Sequence, residues 1–177
     1  MKTFALNYVA ILLLFFAISA CKKDSKKEET KSSSLKMDGV EHDISKGIIE
    51  YYGGDGSDYN IDLTLFSSGI TIHENMGIPY SVSGIAHRIY FEMYSTGSGR
   101  IVTSDYTCNI TKKAGTFDFA NYILNRDIAV NPGIDQVPIK SVTVNVNQSE
   151  TEDELSFSGT DINNKAVFGY YKGNLKL

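Results

Sequence analysis

The chain contains no tryptophan and only two cysteines, Cys21 and Cys108, in 177 residues. A disulfide-stapled scaffold is therefore excluded. A single domain needs none, because a chain of about 150 residues buries about 70% of its unfolded surface. Long apolar runs are equally scarce. The one present, Val9 to Ile18, is far shorter than the ~20 residues of a spanning helix, and charge follows it at Lys22 and Lys23. No Gly-x-Ser-x-Gly elbow occurs, and no glycine-rich phosphate loop. The histidines His42, His73 and His87 include no pair at zinc-protease spacing, and Cys108 has no companion thiol, so a zinc site has little support. Cations are few over most of the chain. Residues 37–177 hold ten Lys or Arg against eighteen Asp or Glu, a net −8. Such a body lacks the cations that displace phosphate counterions, which sets nucleic acid aside as a partner.

What is present begins at the N-terminus. Lys2, the apolar run and the small residues Ser19 and Ala20 have the three parts of a secretory signal. Ile18-Ser19-Ala20-Cys21 resembles a bacterial lipobox. The resemblance implies cleavage before Cys21, with diacylglycerol on its thiol and an acyl chain on the new amino group. Two or more chains make a durable anchor, at about 0.8 kcal/mol per buried CH₂. The expected organisation is a signal peptide over 1–20, lipidated Cys21 and a flexible tether over 21–34, and one domain over 35–177. The tether is polar and rich in lysine, with an r.m.s. span of roughly 20 Å. It is either a solvated leash or a contact for anionic headgroups. With Cys21 lipidated, Cys108 has no disulfide partner and reads as a buried structural thiol.

From Leu35 onward, short alternating apolar and polar runs are separated by Gly, Asp, Asn and Ser. Asp38-Gly39 between two such runs is a hairpin signal. Tyr59 to Phe66 and Ile85 to Tyr94 alternate cleanly, with Ile89, Phe91 and Met93 on one face and Arg88, Tyr90, Glu92 and Tyr94 on the other. Val142, Val144 and Val146 alternate with polar neighbours. Thr116 to Leu124 fits strand or helix and reads as strand, because β-formers dominate it. Connections too short for crossovers predict antiparallel pairing. The expected fold is an all-β, antiparallel β-sandwich of about nine strands; the alternative is a small closed, lipocalin-like β-barrel.

Cys-Lys-Lys-Asp at 21–24, MDGVEHDIS at 37–45, IYFEMYS at 89–95, AGTFDF at 114–119 and the closing SFSGTD and GYYKGNLKL carry a resemblance to small β-sandwich lipoproteins of Bacteroidetes-type bacteria. It implies lipid anchorage at the cell outer membrane, on the periplasmic face or at the surface, and brings no catalytic motif and no cofactor beyond the acyl chains on Cys21.

Two acidic clusters stand out. Asp55, Asp58, Asn60 and Asp62 surround a glycine-rich turn and form a weak calcium candidate. Glu150 to Glu154 reads as a solvated turn whose charge keeps strand edges apart. Tyrosine is the compositional excess. Tyr51, Tyr52, Tyr90, Tyr94, Tyr170 and Tyr171 are the candidate contact residues for a protein or glycan, although the missing tryptophan weakens the glycan case. The leading expectation is a non-enzymatic, membrane-anchored binding module. The alternatives are a barrel that carries a lipid or other apolar ligand and, below it, a hydrolase using carboxylates such as Asp62 or Glu92, which would need two facing carboxyls that the sequence itself does not supply.

Overall fold

The Asp38-Gly39 pair forms the expected hairpin. Its φ values of 49° and 84° are both positive, as a type I′ turn requires, and it joins β1 (Ser34–Met37) to β2 (Val40–Asp43). The computed structural model describes residues 31–98, 100–129 and 135–177. The signal segment, Cys21 and most of the tether lie outside the described residues. The remaining strands are β3 (Lys46–Asp55), β4 (Asp58–Phe66), β5 (Ile70–Asn75), β6 (Ile78–Ser95), β7 (Ser104–Cys108), β8 (Thr116–Asp127), β9 (Val137–Gln148), β10 (Asp153–Asp161), β11 (Ala166–Gly173) and β12 (Leu175–Lys176).

The domain is all-β, and Thr116 to Leu124 lies within strand β8. Among the described residues the strands number twelve rather than about nine. They run β12-β3-β4-β6-β8-β7-β9-β10-β11-β1-β2 in one hydrogen-bonded sheet, with β5 attached to β6. The sheet curls into a half-barrel, so its two halves face each other across the core as the layers of a sandwich would. Pairing is antiparallel except for two corrections to that expectation: β7 with β8 and β12 with β3 are parallel. Each is a short contact, such as Thr107 and Cys108 beside Thr116 and Phe117, so it needs no full crossover. Asn174 alone separates β11 from β12, and this step carries the chain from one end of the sheet order to the other.

Alternation places one face of every long strand inside. Ile61, Leu63 and Leu65 of β4, Ile89, Phe91 and Met93 of β6, and Val144, Phe157 and Val167 from the other half form one core. The Phe91 ring meets Phe117 and Phe157 edge-on, with centroids 5.7 and 5.4 Å apart, and so joins the two halves. Gly169 is required there. A Cβ on it would stand 1.9 Å from the Phe157 ring, so any side chain would displace that ring.

β6 serves two sheets. Its second half pairs with β4 and β8, whereas its first half pairs with β5 across the Met76-Gly77 turn. The change falls at Gly84, whose φ of 117° suits only glycine. The β5–β6 hairpin becomes an arm. Ile72 and Val82 of the arm pack on Ile48, Phe66 and Ile123, which point outward from the main sheet. Polar residues interrupt both arm strands, which is why this hairpin did not stand out in the sequence.

Candidate functional site

Cross-strand register arranges the outer side of β3, β4, β6 and β8 into rows. The first is Lys46, Phe66, Arg88 and Ile123; the second is Ile48, Thr64, Tyr90 and Asn121; the third is Glu50, Asp62, Glu92 and Phe119. Three carboxylates therefore stand abreast on neighbouring strands. Like charges placed directly opposite repel, and the surroundings answer that repulsion. The Tyr90 hydroxyl hydrogen-bonds Asp62. Tyr94 and Asn60 both donate to Glu92 Oε1, each at 3.2 Å. Lys112 meets Asp118 at 3.1 Å beside the rows. Arg88 is only 9% exposed, and its Nη2 donates to Asn121 Oδ1 at 2.9 Å.

Burial pushes the Asp62 carboxyl up to about 6, and the charges of Glu92, Glu50 and Asp118 add to the shift against the opposing Tyr90 hydrogen bond. Burial also raises the Tyr90 phenol, with further contributions from the Asp62 hydrogen bond and from the Asp62 and Glu92 charges. Tyr52 is 63% exposed and sits within electrostatic reach of the same acids.

The six tyrosines separate on this geometry. Tyr90 and Tyr94 point outward as expected, but Tyr94 is buried by its neighbours. Tyr51 is partly exposed and lies against Tyr59, with ring centroids 5.9 Å apart. Tyr170 is buried beneath Lys31, whose Nζ stands 4.5 Å above the ring. Tyr171 corrects the expectation of a contact residue. Its ring is a core side chain and its hydroxyl donates to the Asn174 carbonyl at 3.1 Å.

The calcium candidates do not converge. Asp58 accepts from Lys113 Nζ at 2.9 Å and from the Ala114 amide at 2.7 Å, which anchors the 113–114 turn. Asn60 lies beside Asp62, which belongs to the outer rows, and Asp55 pairs with Asp58 through the backbone. Among the described residues, no group of three or more His, Cys, Asp or Glu is placed to hold a metal ion. Cys108 also departs from expectation: it is exposed at the end of strand β7 rather than buried. Partial burial, and then Asp118, hold its thiol pKa above the ordinary value, so thiolate character is low. Two histidines far apart in sequence do meet. The His42 and His87 rings lie 4.2 Å apart, where β2 approaches β6. Burial lowers the His87 pKa and His42 lowers it further, opposed by Asp43.

The other half of the sheet carries a different outer face. One row reads Thr107, Thr143, Ser158, Phe168, Lys36 and Glu41; the next reads Asp105, Asn145, Ser156, Tyr170, Ser34 and Asp43. Small side chains on β9 and β10 leave an open groove of about 400 Å³, floored by β9, β10, β11 and β1. Phe168 stands in it 47% exposed. Among the described residues, the hydroxyls of Thr143, Ser156 and Ser158 make no side-chain hydrogen bond, and Lys36 forms no ion pair with its cross-strand neighbour Glu41.

No known protein family matches the chain, and neither the curated proteins nor the solved structures include one similar to it.

The two faces therefore rest on geometry alone. The acidic face brings Asp62 and Glu92 of the sequence reading together as direct cross-strand partners. The groove is built from residues that reading did not select: Phe168, Lys36, Ser156 and Ser158. A signal for it exists in Thr143 and Asn145, the polar half of the valine alternation on β9, but their partners on β10 and β11 are a matter of register.

Proposed function

We propose that this protein is a lipid-anchored lipoprotein of the bacterial outer membrane and acts as a non-enzymatic binding module, holding a protein or glycan in the β9–β10–β11–β1 groove. The lipobox likeness at Cys21 supports the anchor. The groove reading is carried by one observation: among the described residues, hydroxyls without side-chain partners and an unpaired lysine surround an exposed ring. Groups already bound to each other must break those bonds to engage a ligand, whereas unpartnered groups give up only water. Fractionation and capture test the two parts. Cys21→Ser should move the protein from the membrane to the soluble fraction. Wild-type protein should retain an envelope component that Phe168→Ala does not, with unchanged thermal midpoint. Equal retention by both proteins, or none by either, sinks the groove reading.

A carboxylate hydrolase is the second reading, favoured by the Asp62–Glu92 pairing. Direct cross-strand partners have Cβ atoms about 4.5–5.5 Å apart, near the ~5–5.5 Å carboxyl spacing of a retaining glycosidase. Asp62, pushed up to about 6, has the character of a proton donor. Against it, both carboxylates already accept bonds from Tyr90, Tyr94 and Asn60. Reducing ends released from a polysaccharide panel, and lost in Asp62→Asn, would establish it. The apolar-ligand carrier has less support, because Phe91, Phe117, Phe157 and Tyr106 fill the interior between the two halves.

A further inference from the structure

We infer that the groove's ligand is an acidic glycan, an oligosaccharide bearing carboxylate, sulfate or phosphate groups that lies across β9, β10, β11 and β1; this rests on the groove being the binding site. Three observations narrow the class. First, the groove is the floor of a sheet, not its edge. The backbone groups of these strands already pair with each other through the β9–β10–β11–β1 ladder. An extended peptide recognised by strand addition would have no free donors or acceptors there, so recognition falls to side chains alone.

Second, those side chains suit a polyhydroxylated ligand. Thr143, Ser158 and Phe168 occupy one row on successive strands, and Asn145, Ser156 and Tyr170 the next. Successive strands are about 4.8 Å apart, so the groove offers hydrogen-bonding groups at steps similar to the length of one sugar ring. A protein hot spot would want a desolvated cluster of large rings. Here Tyr170 is covered by Lys31, and Phe168 alone among the lining rings stands open. A single aromatic platform amid hydroxyls can stack on the C–H face of a pyranose while its neighbours bond the hydroxyls.

Third, the charge of the lining is opposite to that of the body. Residues 37–177 carry a net −8, whereas the charged groups lining the groove are Lys31 and Lys36 against Glu41. In an acidic molecule this local excess of cations favours an anionic ligand and disfavours a cationic one. Lys36 is available for it, because it does not pair with Glu41.

The test is titration of the folded domain with oligogalacturonate, sialyllactose and heparin-derived oligosaccharides, and with cello-oligosaccharide and dextran as neutral counterparts. At least one acidic oligosaccharide should bind, weaken with added salt, and lose about tenfold in affinity in Lys36→Gln and again in Phe168→Ala. Both positions are exposed, so near-wild-type thermal midpoints certify the variants. Neutral sugars binding as tightly as acidic ones would overturn the charge assignment, as would an unchanged affinity in Lys36→Gln. If no oligosaccharide binds while Phe168→Ala still abolishes capture of an envelope component, the glycan inference fails and the binding-module reading survives. If both fail, the groove is not a site.

Discussion

On the β3–β4–β6–β8 face, Tyr94 and Asn60 hold Glu92 and the buried Arg88 holds Asn121; on the β9–β10–β11–β1 face, hydroxyls and a lysine stand without side-chain partners among the described residues, around an open ring. Both faces are the solvent side of the same curled sheet and both alternate in the same way. They differ in what the neighbouring strand offers. Across β4, β6 and β8 the long side chains reach a neighbour, Tyr90 to Asp62, Tyr94 to Glu92 and Arg88 to Asn121, and are partly covered. Across β9 and β10 the opposed residues are Thr143 with Ser158 and Asn145 with Ser156, too short to close the space above them. Internal bonds are more numerous on the first face, although Asn60 Oδ1, Arg88 Nε and Asp118 Oδ1 are buried there without a hydrogen-bond partner; the second face, with fewer such bonds among the described residues, is left receptive. Chemical richness is thus a poor guide to a binding site, and the poorer-looking face is the better candidate.

Substitutions can break this contrast. The largest effect is expected at Asp161, at the end of β10, which is fully buried and accepts from Tyr122 Oη at 2.9 Å and from the Asn163 and Lys165 amides at 2.8 Å each. Asp161→Ala should cost about 3 kcal/mol in denaturant melts, since bonds to a charged group contribute about 1.5–3 kcal/mol each and are not additive. On the acidic face, Asn121→Ala strips Arg88 of its one described side-chain acceptor and should cost about 2 kcal/mol at unchanged m-value. An unchanged midpoint would mean that Arg88 is hydrated and the face is less sealed than its geometry implies.

Asp62→Asn should act in the opposite direction. Its folded-state pKa is raised from 3.8 to about 6, so the folded protein holds a proton that the unfolded chain releases. The associated stability is present below about pH 4 and is lost as pH rises through about 6. Removing the charge should therefore stabilise by about 1 kcal/mol at pH 7, discounted for partial exposure, and by nothing at pH 4. Asp161 has the reverse sign. Burial raises its pKa, but the Lys165 amide, the Tyr122 hydroxyl and Asn163 outweigh that and leave it below the usual value. Its contribution is present above the unfolded pKa of about 3.8 and is lost as pH falls through its lower folded value. Melts from pH 3 to 8 on Asp62→Asn and Asp161→Ala separate the two groups. The smallest effects belong to the groove. Ser156→Ala and Ser158→Ala should stay within about 0.5 kcal/mol of wild type, and a larger loss would reveal hidden partners.

Much of the fold could be read from alternation. The Asp38-Gly39 turn, the β4 and β6 core positions and the valine strand β9 stand where apolar spacing put them. The β5–β6 arm, β7 and β12 were not legible: their residues are polar or few, and tertiary pairing rather than local pattern makes them strands. The same limit hid the groove. Phe168 and Ser158 are ordinary residues of two strands until register sets them side by side. The tyrosine excess pointed elsewhere, and Tyr171 shows why: a large ring next to an equally large one tells nothing about which of the two faces is wet.

The pairings of β1 with β11 and of β3 with β12 have a consequence for the order of folding. Ser33 and Lys172, 139 positions apart, share a hydrogen bond, and β12 reaches back to β3. The curled sheet cannot be completed from its N-terminal half, so folding must wait for the closing strands, and such long-range closure is slow. Until those closing strands are available, β1 and β3 each lack one of their sheet neighbours.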